Sequence, residues 1–470
     1  SMWQLAKNLL ALLVGTAVMR LIGLVTTLLV ARSLGPDRFG EFSFAFTTFV
    51  LFSLVANLGL ENLVVRRVAR HEGELTIFLG NAALLKLLAV PVGLLIVWLL
   101  SGQELTSFWL ALWLAGYGLG HAHLMFQCAV FRGLERMERQ TWLVSLEAGL
   151  ILVAAFTAVS LFDSPTWVAG AYCFGAWGAS LLGHVWLRRQ VGPLHYRWDG
   201  AQLRRLLRQT LPFTLGTTGF LLFDRQVSLL VYLLDSETAV GWYNAVYFLI
   251  LATSNVPIIL LNSLFPHFSR EGVRPNKQQL QQSVRMALRY LNIVGFPVAV
   301  CFFALAPVII QLFYGEAYAP AVPIMQVLAL GIPGLFITFF LLGTLQTNNR
   351  QAVAAGGVWV GLLTLPAVAW AISQGGVLWG AWAYAISSNL LAVLFLFLIW
   401  RDVERLDWWN GFGMPLVAAM GMALIFWVGH ALPWPLLTLL ALLGYAVVLS
   451  ANGLIRAELR GLLSSQVARL

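Results

Sequence analysis

The sequence predicts an all-α membrane protein of about fourteen transmembrane helices, built as two parallel six-helix lobes with two further C-terminal helices. Three observations predict it. Hydrophobic residues make up 60% of the chain and charged residues 10%, with a mean hydropathy of +0.81, whereas a soluble domain carries about 25% charged residues. Apolar residues fall in long blocks, among them Leu84–Leu100, Ile151–Leu161, Leu390–Ile399 and Leu436–Val448. With their flanks these blocks approach the roughly 20 residues that cross a bilayer core. Lipid offers the backbone no hydrogen-bond partners, so such spans must be helices. The third observation is an internal repeat.

The spans fall at roughly 8–31, 40–65, 81–100, 108–131, 141–162, 167–187, 211–234, 240–265, 287–313, 322–345, 352–373, 377–400, 412–431 and 435–455. The turns between them alternate in charge. One set holds Arg66, Arg67, Arg70, Arg132, Arg136, Arg139, Arg188, Arg189, Arg270, Arg274, Arg350, Arg401 and Arg405. The other holds Arg32 and Arg38 beside Asp37, Glu104, Asp163, Asp235, Glu237 and Glu316. Cytoplasmic turns carry the surplus of arginine and lysine, which places both termini in the cytoplasm and the chain in the plasma (inner) membrane. The same asymmetry accounts for the net charge of +9 without nucleic acid. Arg20 interrupts the first apolar run and no small-residue cleavage site follows, so that run reads as a span rather than a cleaved leader.

Four matches define the repeat. Leu28-Leu29-Val30 with Gly40-x-Phe42 matches Leu229-Leu230-Val231 with Gly241-x-Tyr243 at an offset of 201. Pro91-Val92 matches Pro297-Val298 at 206, Leu134-x4-Arg139-Gln140 matches Leu345-x4-Arg350-Gln351 at 211, and Gly170-Ala171-Tyr172 matches Gly380-Ala381-Trp382 at 210. An offset of six helices, an even number, keeps the two halves in the same orientation, as in transporters whose halves are related about the membrane normal. The predicted organisation is a lobe over 1–190, a cytoplasmic linker over 191–210, a second lobe over 211–405, and two additional helices with a tail over 406–470. The linker carries Arg204, Arg205 and Arg208 and reads as a basic helix lying on anionic headgroups, with Asp199 as its N-cap.

Much is excluded. The three lysines (Lys7, Lys86, Lys277) follow no glycine-rich turn, so there is no phosphate-binding loop for direct ATP drive. No turn on the acidic side is long enough for a catalytic domain, which argues against an enzyme. Cys128, Cys173 and Cys301 lie in apolar segments and behave as small hydrophobes. His121 and His123 are two apart on a helix and cannot form a metal pair. No cofactor and no metal are implied.

Ionisable residues within spans are costly and usually functional. Arg20 lies in the middle of the first span and Asp224-Arg225 near the middle of the seventh. Under the 201 offset Arg225 corresponds to Leu24, one turn from Arg20, so both arginines project from equivalent faces toward a central cleft. Neighbours on a helix do not face each other, which favours this cationic cleft over a local Asp224–Arg225 pair. Asn57, Lys86 and His123 are further candidates for the cleft, although Lys86 would also snorkel and a packed histidine is the blander reading. Glu61 shares a face with Asn57 and pairs with Arg66 or Arg67 in the bland reading. Glu147 is expected to pair with an arginine of the preceding cytoplasmic turn. The Gly116–Gly120 run reads as a bend or a close-packing site.

At the first hairpin, Arg20-Leu21-Ile22-Gly23, then Ala31-Arg32-Ser33-Leu34-Gly35-Pro36-Asp37-Arg38-Phe39-Gly40-Glu41-Phe42, then Leu58-Gly59-Leu60-Glu61, resemble the Wzx-type polysaccharide flippases. These belong to the multidrug/oligosaccharidyl-lipid/polysaccharide exporter superfamily. The resemblance covers the twelve repeat helices and implies alternating access, with an undecaprenyl-pyrophosphate-linked saccharide as substrate. It implies that Arg20 meets the pyrophosphate; the charges read within the spans add Arg225, Asp224, Lys86, Asn57 and His123 as substrate-binding candidates, with Asp224 or Glu61 for coupling to H⁺ or Na⁺. Membrane lipids are the other partners, and the protein acts as a monomer. Fourteen spans exceed the twelve usual in Wzx-type members and look like the lipid II flippase branch. The alternatives are that flippase, a multidrug cation antiporter of the same superfamily, and a non-transporting scaffold or scramblase.

Overall fold

The computed structural model describes residues 2–57, 105–134, 136–192, 200–257, 277–347, 350–399 and 407–452, with isolated positions 61, 64, 65, 68, 80 and 91. Among the described residues there are helices and no strands. Six helical runs are long and apolar enough to cross a membrane, or seven if the bent pair Ala321–Ala329 and Ile332–Leu345 counts as one span. This is an integral membrane protein.

The helix α1 (Met2–Asn57) is two arms joined at Gly35, whose φ of 72° and ψ of 170° break the helical run. A positive φ strains any residue with a Cβ, so glycine is required there. Pro36 follows with its φ already suited to the start of the second arm. A late run is divided in the same way. In α12 (Leu365–Ile399) the break falls at Gly375 and Gly376, the latter at φ 64°. Both breaks sit between predicted spans.

The chain forms two compact units, Ser1–Leu249 with Val358–Val377, and Ile250–Gly357 with Leu378–Leu470. In the first, α1 packs with α2 (Leu105–Gly133), α3 (Met137–Leu161) and α4 (Pro165–Val191). Small residues let these backbones approach, as membrane helices require in the absence of a hydrophobic driving force. Ala171, Gly175, Ala179 and Gly183 lie every fourth residue along α4. Gly175 receives Ile151, and Gly183 receives Gln127 and Leu143. The Gly116–Gly120 run on α2 serves close packing: Gly118 accommodates the ring of Phe49, and Gly116 the thiol of Cys173.

The same unit holds α5 (Gly200–Leu234) and most of α6 (Glu237–Thr253). The segment expected to lie on headgroups as a separate surface helix is instead the first part of α5, one continuous helix. Arg204, Arg205 and Arg208 are exposed along it, and Asp199 lies outside the described residues. The repeat offset reappears as physical contact. Gly40 abuts the Glu237 carbonyl and Gly241 abuts the Pro36 carbonyl, each too close to admit a Cβ. Asn244 Nδ2 donates to Ser43 Oγ at 2.9 Å, and Thr238 Oγ1 donates to Asp37 Oδ1. Each pair either joins i to i+201 or is exchanged by that offset. Such reciprocity marks a two-fold contact, here between the second arm of α1 and the start of α6.

In the second unit α7 (Lys277–Ala304) packs against the C-terminal hairpin of α13 (Met414–Val428) and α14 (Trp434–Ala451). Phe296 and Val300 pack on Met422, Phe426 and Tyr445, and the Tyr445 hydroxyl donates to the Ile293 carbonyl at 2.8 Å. The end of the hairpin is pinned by polar contacts. Asn292 donates to the Gly411 carbonyl, Asn410 to Asp407, and Asn452 to Asn410. The Asn410 amide holds the exposed Asp407 carboxyl below its usual range, with Arg289 and Arg285 assisting. Along α7 and the hairpin runs an apolar groove of about 1200 Å³, lined by Phe303, Pro333, Met420, Trp427 and Trp434 among others.

Candidate functional site

The most unusual chemistry lies where α5 and α6 meet. Asp224 and Arg225 are ten and nine residues from the end of α5 at Leu234, about 15 Å along the helix. The Asp224 side chain is 5% exposed and accepts a hydrogen bond from the Tyr247 hydroxyl. The Arg225 side chain is 11% exposed, with Nε 3.7 Å from Asp224 Oδ2. Its guanidinium carbon lies 4.7 Å from the Tyr247 ring centre and 5.3 Å from that of Phe248. Such cation–π contacts contribute roughly 0.5–2 kcal/mol and hold the planar group at a fixed tilt. Its Nη1 is buried, with no hydrogen-bond partner among the described residues. The site therefore holds a guanidinium beside a carboxylate, with one buried donor unused among the described residues.

Around it runs a seam of unsatisfied polar groups. Buried and without hydrogen-bond partners among the described residues are the hydroxyls of Thr47 and Thr48, both amide atoms of Gln226, the hydroxyls of Ser228 and Tyr243, and Oδ1 of Asn244. They lie on the second arm of α1, on α5 and on α6. An orphaned buried polar group costs about 1–3 kcal/mol, so a fold with this many on three neighbouring helices gains by letting water or a polar ligand reach them.

The predicted site residues are distributed as follows. Arg20 is exposed on the first arm of α1. Arg225 and Asp224 do approach one another, contrary to the expectation that helical neighbours stay apart. The flexible arginine stem brings Nε to 3.7 Å from the carboxylate, which also accepts a hydrogen bond from the Tyr247 hydroxyl. Glu61 accepts a hydrogen bond from Arg132 Nη2 at 3.1 Å; Arg66 and Arg67, its expected partners, lie outside the described residues. The segment around Val65 and Val68 packs on Gly133, at the end of α2, and brings Glu61 there. His123 stacks with Phe126 at 6.3 Å and faces His184 at 6.1 Å. Lys86 lies outside the described residues, and of Asn57 only the backbone is described.

Two contributions escaped sequence reasoning. Tyr243, Tyr247 and Phe248 form the aromatic wall of the site, and the repeat held a signal for them: Tyr243 and Tyr247 correspond to Phe42 and Phe46 at the 201 offset. The second is Glu147. It does not pair with an arginine of the preceding turn, because α3 buries it in the stripe Leu143, Glu147, Ile151 and Ala155. There its Oε1 lies 2.7 Å from Nδ1 of His121. Arg139 turns instead to the rings of Phe131 and Trp186.

Residues 5–271, more than half of the chain, match the family model described as polysaccharide biosynthesis protein. The chain belongs to that family. Residues 227–370 also match the MatE model. A Klebsiella pneumoniae protein described as an uncharacterized membrane protein in the cps region is 22% identical over 435 residues, covering 87% of this chain and 85% of the relative. Among solved structures, the lipid II flippase MurJ in an inward closed conformation superposes with a TM-score of 0.75 at 14% identity, covering 94% of this chain and 98% of that one. An inward-facing multidrug resistance MATE family transporter of the MOP superfamily superposes with a TM-score of 0.61 at 15% identity, covering 83% and 98%. This member of the polysaccharide biosynthesis family thus has the two-lobed fold of those transporters.

Proposed function

We propose that this protein is a flippase that carries a lipid-linked saccharide, of the undecaprenyl-pyrophosphate type, from the cytoplasmic to the outer leaflet by alternating access. The observation that carries the reading is the Arg225 guanidinium, held at mid-span between two rings with a donor unused. Arginine stays charged when desolvated and grips a phosphate through two parallel hydrogen bonds. Arg20, exposed on the first arm of α1, supplies the second cation. The polar seam gives the saccharide a hydrated path. Moving negative charge outward is favoured by about 2.3 kcal/mol per charge at 100 mV, inside negative.

The MATE-like fold keeps a cation antiporter as the rival. A cation pump would offer carboxylates to its ligand, whereas Asp224 is already engaged by Tyr247 and Arg225. Family and fold are those of transporters rather than enzymes, and the lobes fall over 1–190 and 211–405. In detergent, an undecaprenyl-pyrophosphate saccharide should raise the melting temperature by several degrees, and a cationic dye should not. Protection by the dye alone would favour the antiporter. The orientation puts Gly35–Arg38 outside and Arg204–Arg208 inside. A cysteine at Arg204 should therefore resist an impermeant thiol reagent in intact cells, and labelling there would invert the topology.

A further inference from the structure

Where α7 meets the turn that leads into α13, a small hollow is lined by Arg285, Leu288, Arg289, Asp407, Gly411 and Phe412. All of them belong to the second unit, whereas Arg225 belongs to the first. Arg285 and Arg289 are one turn apart on α7, so two like charges share a helix face, which is unfavourable by itself. Asp407 offsets one of them. Its Oδ1 accepts from the Asn410 backbone N–H at 3.1 Å and its Oδ2 from Asn410 Nδ2 at 2.6 Å, so the carboxylate is engaged in capping the turn. The lining holds two guanidiniums against one carboxylate, a net charge of +1. Arginines that merely snorkel keep the head group in water. Here Arg289 is 7% exposed, and Arg285 Nε is buried with no hydrogen-bond partner among the described residues.

The backbone makes room beside these cations. Trp409–Gly413 forms a π-helical turn, a rare form that often marks functional positions. Asn292 Nδ2 holds it by donating to the Gly411 carbonyl at 2.9 Å. Gly411 is buried, yet a Cβ there would meet no atom within 4 Å. The hollow measures about 10 Å³, close to the space of one water-sized oxygen. A group that fits is one oxygen of a larger anion whose remainder stays at the surface.

The level of the hollow indicates which anion. It lies at the start of two apolar runs long enough to cross a membrane, Gln281–Ala304 and Trp409–Val428, and Trp408 and Trp409 are exposed beside it. Tryptophan collects at the boundary between bilayer and water. Arg274 and Lys277 precede the first run and Arg401 and Arg405 the second, so this is the arginine-rich side, where the bilayer surface is anionic. Basic pockets between membrane helices on that side receive lipid head groups.

We propose that this hollow binds the phosphate of an anionic phospholipid, and that the bound lipid ties α7 to the C-terminal hairpin. One phosphate oxygen enters beside Gly411, Arg285 and Arg289 donate charge-assisted hydrogen bonds to it, and the acyl chains remain in the bilayer. The inference does not depend on the flippase reading.

The test is lipid titration of the full chain in a neutral detergent, read by native mass spectrometry. Phosphatidylglycerol should bind about tenfold more tightly than phosphatidylcholine, whose phosphate is cancelled by its choline. Arg285→Gln removes one cation, and Gly411→Ala puts a methyl group in the hollow while leaving every charge in place. Each should weaken phosphatidylglycerol binding about tenfold. Asp407→Asn removes the competing anion and should tighten it about fivefold, a gain that misfolding does not produce. Inorganic phosphate, which lacks the acyl anchor, should not displace the lipid. Equal binding of the two lipids, or phosphatidylglycerol binding unmoved by Arg285→Gln and Gly411→Ala, overturns the site. Displacement of the lipid by inorganic phosphate overturns the lipid as its source and leaves a site for free anions.

Discussion

Arg225→Ala is expected to lower flipping by more than about tenfold and also to destabilise the protein. Two effects act together. Loss of the guanidinium removes charge-assisted hydrogen bonds to phosphate, each contributing about 1.5–3 kcal/mol. It also leaves Asp224, a buried carboxylate that accepts from Tyr247, without its cation, and breaking a buried pair costs about 3–5 kcal/mol. The double variant Asp224→Asn/Arg225→Ala separates them. With the carboxylate neutralised, the melting temperature should recover most of the loss while flipping stays low. Arg225→Lys should restore flipping in part, since it keeps the charge and loses the planar fork. If the double variant flips at the wild-type rate, Arg225 serves only to neutralise Asp224.

Locking the two-fold contact should have an equally large effect. In a protein whose native cysteines are replaced, Ser43→Cys with Asn244→Cys places sulfurs where side-chain atoms now lie 2.9 Å apart. Oxidation should cross-link the second arm of α1 to α6 and abolish flipping, and a reductant should restore it. The expectation follows from the orphaned groups on the same helices: Thr47, Thr48, Gln226 and Tyr243 are buried without hydrogen-bond partners among the described residues, and separating the helices would give them water. Gly40→Val should act in the opposite sense, because its side chain would collide with the Glu237 carbonyl and hold the contact open. Normal flipping in the oxidised cross-linked protein would mean that this end of the molecule does not move.

Local features were the most legible in the sequence. The bend at Gly35-Pro36-Asp37 is turn chemistry, and it is where α1 breaks. The 201 offset was visible as matched residues and is realised as reciprocal contacts of Gly40, Gly241, Ser43 and Asn244. Partners across helices were not legible. Glu147 lies eight residues from Arg139 and 26 from His121, yet the rotation of α3 against α2, set by small residues on α4, decides between them. Adjacency in sequence also misled for Asp224 and Arg225, because the dihedrals of a long side chain can overcome the angle between neighbouring positions on a helix. The linker fared similarly: its basic residues suit a surface helix and Pro212 suits a break at the start of the following span, yet α5 runs through that proline as one helix.

The central claim is movement of a lipid-linked anion, and vesicle reconstitution measures it most directly. Fluorescent undecaprenyl-pyrophosphate saccharide is placed in one leaflet, and its appearance in the other is followed with a membrane-impermeant quencher, in vesicles with and without protein. The account predicts protein-dependent flipping that Arg225→Lys slows and that Asp224→Asn/Arg225→Ala nearly abolishes. Protein-dependent efflux of a cationic dye, with no movement of the saccharide lipid, would contradict it.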